Sequence, residues 1–153
     1  MMRRYEREGG EGDTVLHDYG SDPFVVSLPR ATRANPFFRL ALWTGQQLQL
    51  VLMTLPAGGE IGAERHGDTD QLLYIESGTG KVDMGEAKDD LSLHRSVSAG
   101  DAILVPAGTW HRVRNAGRMP LRLFTVYAPP EHPYGTIHET IEAARAAERG
   151  KRS

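Results

Sequence analysis

The sequence contains no cysteine. That excludes disulfides, thiolate ligands and thiol nucleophiles together, so any metal centre must be built from imidazole, carboxylate and amide groups. Long apolar runs are also missing. No stretch of Ala, Val, Ile, Leu, Met, Phe, Trp or Tyr exceeds four residues, against the roughly 20 that a membrane-crossing helix needs. Neither sign of charge is in excess: Lys and Arg number 18 against 20 Asp and Glu, a net charge of -2, which argues against a surface that binds nucleic acid by neutralising phosphates. Residues 1–8 lack the apolar core of a secretory signal. The expectation is a cytoplasmic protein with neither nucleic acid nor membrane as a partner.

What is present points to one β-rich domain. The chain has 153 residues, 39% of them hydrophobic, enough for a single packed core. Its 17 Gly and 9 Pro fall between short apolar stretches, the punctuation of a many-stranded fold. Strands are expected at Phe24–Leu28, Phe38–Thr44, Gln47–Leu55, Ile61–His66, Gln71–Glu76, Lys81–Met84, Leu91–Val97, Asp101–Val105, Thr109–Asn115 and Leu121–Tyr127. Turn chemistry separates them, as in Val105-Pro106-Ala107-Gly108. Near the end the period changes: Glu139–Arg149 is rich in Ala and other helix formers, has Thr140 or Thr136 as a cap, and is followed by Gly150 as a stop. The expected organisation is a loosely held leader over 1–22, a β-barrel over 23–130, and a tail with one helix over 131–153.

The densest polar constellation is Glu64-Arg65-His66 followed by Gln71, with His111 further on. On an extended strand side chains alternate, so Glu64 and His66 share a face and Arg65 takes the other. A hairpin through Gly67-Asp68-Thr69-Asp70 returns Gln71 towards His66. His111 alternates with Trp110 and Arg112, and so can point inward with Val113.

These residues and their glycine frame resemble the cupins. The first cupin motif runs Gly, five residues, ligand-x-ligand, three or four residues, a third ligand, six residues, Gly; Gly58, Glu64, His66, Gln71 and Gly78 occupy those places. The second runs Gly, five residues, Pro-x-Gly, two residues, His, three residues, Asn, matched by Gly100, Pro106, Gly108, His111 and Asn115. Further segments, Pro56–Gly62 and Tyr127–Pro133 among them, are similar to a narrower group of small single-domain cupins labelled mannose-6-phosphate-isomerase-like. The resemblance implies an all-β double-stranded β-helix, a jelly-roll barrel, with a short C-terminal α-helix. It also implies a divalent metal held by Glu64, His66, Gln71 and His111, and a homodimer.

Glu64 stands where the commonest pattern has His, and Gln71 where it has Glu, so the charge inventory is kept while the positions are exchanged. His66, His111 and Glu64 form a two-His, one-carboxylate set that leaves positions open for substrate, with Gln71 as a weaker fourth ligand. Fe, Mn, Ni, Co, Zn and Cu all suit such donors. The functional expectation is a metal-dependent enzyme acting on a small organic molecule, of isomerase, oxygenase (dioxygenase) or decarboxylase type; the alternative is a noncatalytic cupin that binds or senses a small ligand. His17, His94, His132 and His138 are placed outside the metal site. Asp70 is either an acceptor behind the ligands or a turn residue, and Tyr74 and Asp70 are the weak candidates for a proton-transfer group. Arg65, Arg112 and Arg114 are expected to face outward, and Arg39, Arg122 and Lys81 inward only if the faces are reversed.

Overall fold

The computed structural model describes residues 15–152. In order, these form α1 (Leu28–Ala34), β1 (Arg39–Thr44), β2 (Gln49–Leu55), β3 (Glu60–Glu64), β4 (Asp70–Ser77), β5 (Thr79–Gly85), β6 (Leu93–Ser98), β7 (Ala102–Val105), β8 (Trp110–Asn115), β9 (Leu121–Ala128), β10 (Ile137–His138) and α2 (Ile141–Arg152). The strands make two antiparallel sheets, ordered β10-β1-β2-β9-β4-β7 and β3-β8-β5-β6. Val51, Met53, Leu73 and Leu123 of the first meet Ile61, Val82 and Val113 of the second in one core. This is the expected jelly-roll barrel with a C-terminal helix. Period-two burial builds it: along β9, Leu121, Leu123, Thr125 and Tyr127 are buried while Arg122, Phe124 and Val126 between them are only half-buried.

Strands β1 and β2 depart from that alternation because both of their faces are covered. Their outer residues Leu40, Leu42 and Leu52 pack with Tyr19 and Ala31 in a second apolar cluster. Phe24, Val26 and Leu28 join it while Val25 is exposed. The segment 24–28 therefore has the period of a strand but pairs with none, and α1 starts where a strand was expected. Pro29 is the reason: it sits at the start of α1, where its fixed φ suits a first helical turn and its missing N–H removes nothing. The end of the expected loose leader is also packed: Asp18 and Tyr19 are buried, and the Tyr19 amide donates to the Leu42 carbonyl at 2.8 Å. Residues 1–14 lie outside the described residues.

The tail folds back onto the barrel, and three devices hold it. β10 pairs with β1, setting His138 opposite Arg39. The buried Gln49 side chain accepts from the amides of Glu131 (3.2 Å) and His132 (3.0 Å) and donates to the His132 carbonyl (2.8 Å), acting as a strand neighbour for that stretch. The Asp18 carboxylate accepts from Thr44 Oγ1 (2.6 Å) and from the amides of Gly20 and Gly135 (both 2.9 Å). Thr140 caps α2 through the Ala143 amide at 3.0 Å, and Ile141 and Ala144 lay that helix on the barrel core. The helix continues through Gly150 to Arg152 instead of stopping there. A glycine within a helix costs only about 1 kcal/mol relative to alanine, and helix-forming Arg149 and Lys151 flank it.

Candidate metal centre

Glu64 closes β3, directly opposite His111 of β8. The register shifts between Gly62 and Glu64, and Gly62 permits it: its φ is +85°, and a Cβ there would stand 2.5 Å from the His111 carbonyl oxygen. The shift lets one carboxylate oxygen of Glu64 reach both imidazoles. Glu64 Oε1 lies 3.3 Å from His66 Nε2 and 3.4 Å from His111 Nε2. His66 and His111 are tilted against each other with ring centroids 5.3 Å apart. One donor atom from each of the three residues lies within 4.8 Å of the others, close enough to share one cation.

The hydrogen bonds around the cluster leave two of its buried acceptor atoms without a partner. His111 Nδ1 lies 3.1 Å from the Thr109 carbonyl, which can only accept, so the hydrogen sits on Nδ1 and Nε2 presents a lone pair. His111 is fully buried, and among the described residues its Nε2 has no hydrogen-bond partner, the Glu64 oxygen 3.4 Å away lying outside hydrogen-bond geometry. Gln71 repeats the pattern from β4: its Nε2 donates to Thr125 Oγ1 at 3.0 Å, while its buried Oε1 has no partner. Gln71 sits opposite Tyr127 in the β4–β9 register, and Tyr127 meets His66 edge-on at 5.6 Å, so the amide occupies the same inner face as the cluster. A buried polar atom without a partner costs about 1–3 kcal/mol. Two such acceptors on one inner face, one of them 3.4 Å from the Glu64 carboxylate, suit a cation, and a donor set of two imidazoles, a carboxylate and an amide oxygen fits a divalent one.

His66 is held at its other nitrogen by Glu131, whose Oε1 lies 3.0 Å from Nδ1. Burial works against a charged His66 ring, but the hydrogen bonds from Glu131 and Glu64 and the charges of both outweigh it and raise the ring to about 9. Burial likewise opposes ionisation of Glu64, and the two histidines overcome it, holding the carboxyl far below its usual range. Tyr127 is pushed upward, mainly by complete burial, and stays a neutral phenol; its hydroxyl is 3.4 Å from His132 Nε2. The cluster opens into a cleft of about 440 Å³ between the barrel, the tail and α2, lined by Arg39, Glu64, His66, Glu131, His132 and Glu148 among others.

A family model for the cupin domain matches residues 51–127. The chain belongs to the cupin family. An uncharacterized Bacillus subtilis (strain 168) protein, YrkC, is 54% identical over 134 residues, 88% of this chain and 72% of that one. An uncharacterized protein of Acanthamoeba polyphaga mimivirus is 38% identical over 115 residues, 74% of this chain and 70% of the other. The crystal structure of BH2720 from Bacillus halodurans superposes with a TM-score of 0.85 at 50% identity, covering 86% of this chain and 99% of that one.

Within this cupin, Glu64, His66 and His111 are brought together as their spacing implied, and Gln71 joins their face. Arg112 and Arg114 lie on the outside, where they grip Asp83. His94, placed outside the metal site by the sequence, faces Asp83 across the β5–β6 pair at 2.6 Å. Asp70 is a turn residue that accepts from the Ala107 amide at 2.8 Å, and Tyr74 stacks on Phe124; neither lines the cleft. The residues missed were Glu131, Tyr127 and Arg39. Arg39 was expected to face outward, yet it is only 4% exposed and lines the cleft. Burial on both faces of β1 hides which side is the barrel interior. Arg65 also borders the cleft, tied to the Gly108 carbonyl at 3.1 Å. Among the described residues no helix is long and apolar enough to cross a membrane.

Proposed function

We propose that this cupin is a metal-dependent enzyme that transforms a small organic molecule, with Glu64, His66, Gln71 and His111 holding one divalent cation. The observation that carries the reading is the pair of buried, partnerless acceptors, His111 Nε2 and Gln71 Oε1, together with a carboxylate oxygen that lies within 3.4 Å of both imidazoles. A cation bound there supplies Lewis-acid polarisation and a fixed template for a substrate oxygen.

The chain's own groups do the rest. Glu131, the Thr109 carbonyl and Thr125 each turn one ligand towards the centre. Glu131 and His132, both on the cleft wall, are placed to take up or return a proton, and Tyr127 supplies a neutral hydroxyl to His132. Isomerase, oxygenase and decarboxylase chemistry all fall within the reach of this set. The narrower likeness to the mannose-6-phosphate-isomerase-like group, and pairing into a homodimer, belong to the same proposal. Light scattering that returns the mass of a single chain rejects the dimer.

The test is turnover of a panel of aldoses, ketose phosphates, oxalate and flavonols by protein loaded with each of Fe, Mn, Ni, Co, Zn and Cu, compared with chelated protein. Metal-dependent turnover that falls in Glu64→Gln supports the reading. No turnover with any metal leaves a noncatalytic binding cupin.

A further inference from the structure

Among the described residues, four buried side-chain polar atoms lack a partner: Thr32 Oγ1, Gln71 Oε1, His111 Nε2 and Arg39 Nε. The second and third are acceptors at the metal centre. Arg39 Nε is the complement, a donor on a permanently charged group. Among the described residues the Arg39 side chain makes one hydrogen bond, from Nη1 to His138 Nδ1 at 3.0 Å. Guanidinium nitrogens only donate, so His138 accepts with a bare Nδ1 and supplies no negative charge. The guanidinium carbon also lies 5.2 Å from the Phe38 ring centroid. No carboxylate among the described residues forms an ion pair with Arg39. Elsewhere the protein pairs its buried charge: Asp83 is surrounded by His94, Arg112 and Arg114.

A buried cation without a counter-ion is destabilising unless something supplies the charge. Arg39 lines the same cleft as Glu64 and His66. Arg39, Arg65 and Lys88 there offset Glu64, Glu131 and Glu148, and His66 adds to the positive side, so the cleft carries no net negative charge and a divalent cation would make it more positive. We infer that Arg39 is the anion-recognition residue of this cleft and that the natural ligand is a small molecule carrying an oxyanion, carboxylate or phosphate. The guanidinium fork suits both groups. The inference extends the metal-enzyme reading by naming its substrate class, but the anion subsite is tested without the metal.

The experiment is titration calorimetry on chelated protein with inorganic phosphate, oxalate and, as a neutral control, glucose, at fixed ionic strength. Wild-type protein, Arg39→Lys, Arg39→Met and His111→Ala are compared, with thermal melting of each. Wild-type protein is expected to bind at least one anion saturably and glucose not at all. Arg39→Met should weaken that binding by about tenfold to a hundredfold, Arg39→Lys by less, and His111→Ala should retain it. Phosphate binding alone assigns a phosphorylated ligand, and oxalate binding alone an organic acid. Because the buried arginine has no carboxylate partner among the described residues, Arg39→Met should melt no lower than wild type. Equal anion binding by wild type and Arg39→Met, or no anion binding by wild type, overturns the inference. Loss of binding in His111→Ala with retention in Arg39→Met also overturns it, since the anion then sits at the cation site. Failure of His111→Ala to lose metal defeats the metal reading without touching Arg39.

Discussion

Replacing Glu131 by alanine removes the carboxylate that sits 3.0 Å from the outer nitrogen of His66 and leaves every proposed ligand in place. Such a carboxylate fixes the ring orientation and raises its basicity towards a metal, and losing one costs 10–100-fold in affinity in comparable centres, about 1.4–2.7 kcal/mol. The Glu131 side chain is 32% exposed, so water replaces part of what it gives and the expected loss is at the lower end, about tenfold. Glutamine keeps an acceptor but not the charge and should fall between. The same carboxylate holds a competing proton on the metal-free ring, which titrates at about 9. Below that pH metal must displace the proton, a penalty that alanine relieves. The gap between wild type and Glu131→Ala should therefore widen as pH rises through about 9 and narrow towards neutrality. Competition with a chromophoric chelator, run on both sides of that value, measures it. Equal affinities above pH 9, or a loss that ignores pH, would show that Glu131 does not support His66.

Gln49 never touches the cluster, but it holds the backbone of Glu131 and His132. Gln49→Ala should cost about 1 kcal/mol of stability by leaving part-buried amides unmatched and should reproduce much of the Glu131→Ala affinity loss; chemical denaturation and the same chelator assay check both. Asp83 is held below the usual carboxylate range by its hydrogen bond to His94, then by Arg112 and Arg114, against the opposing effect of burial. A depressed carboxylate stabilises the fold above its unfolded value, about 3.9, and that contribution disappears as pH falls through the lower folded value. Asp83→Asn should therefore melt about 4–8 °C lower at neutral pH, corresponding to about 2 kcal/mol, with the difference closing in acid. A gap that persists well below pH 3.9 would assign it to packing instead of charge.

The barrel was legible because its strands obey period two and its glycines and prolines mark each turn; every strand from β1 to β9 falls within two residues of its expected position at either end. The cation cluster was legible for the same reason, since Glu64 and His66 are two apart and the buried His111 alternates with half-buried neighbours. What stayed hidden depends on contacts distant in sequence. The apolar alternation of 24–28 does not reveal that its partner is a covering surface and not a strand. The place of Glu131 follows from Gln49, 82 residues earlier, and the inward side of Arg39 from a two-residue pairing with β10. No local pattern encodes either contact, and together they build the wall of the cleft.

The most direct test of the account is metal content per chain. Wild-type protein and His111→Ala are incubated with a limiting excess of a single divalent transition metal, desalted, and analysed by plasma mass spectrometry, with circular dichroism to confirm that both are folded. One equivalent in wild type and none in a folded His111→Ala is the predicted result. Equal metal in the two, or wild-type protein that retains none of the metals offered, contradicts it.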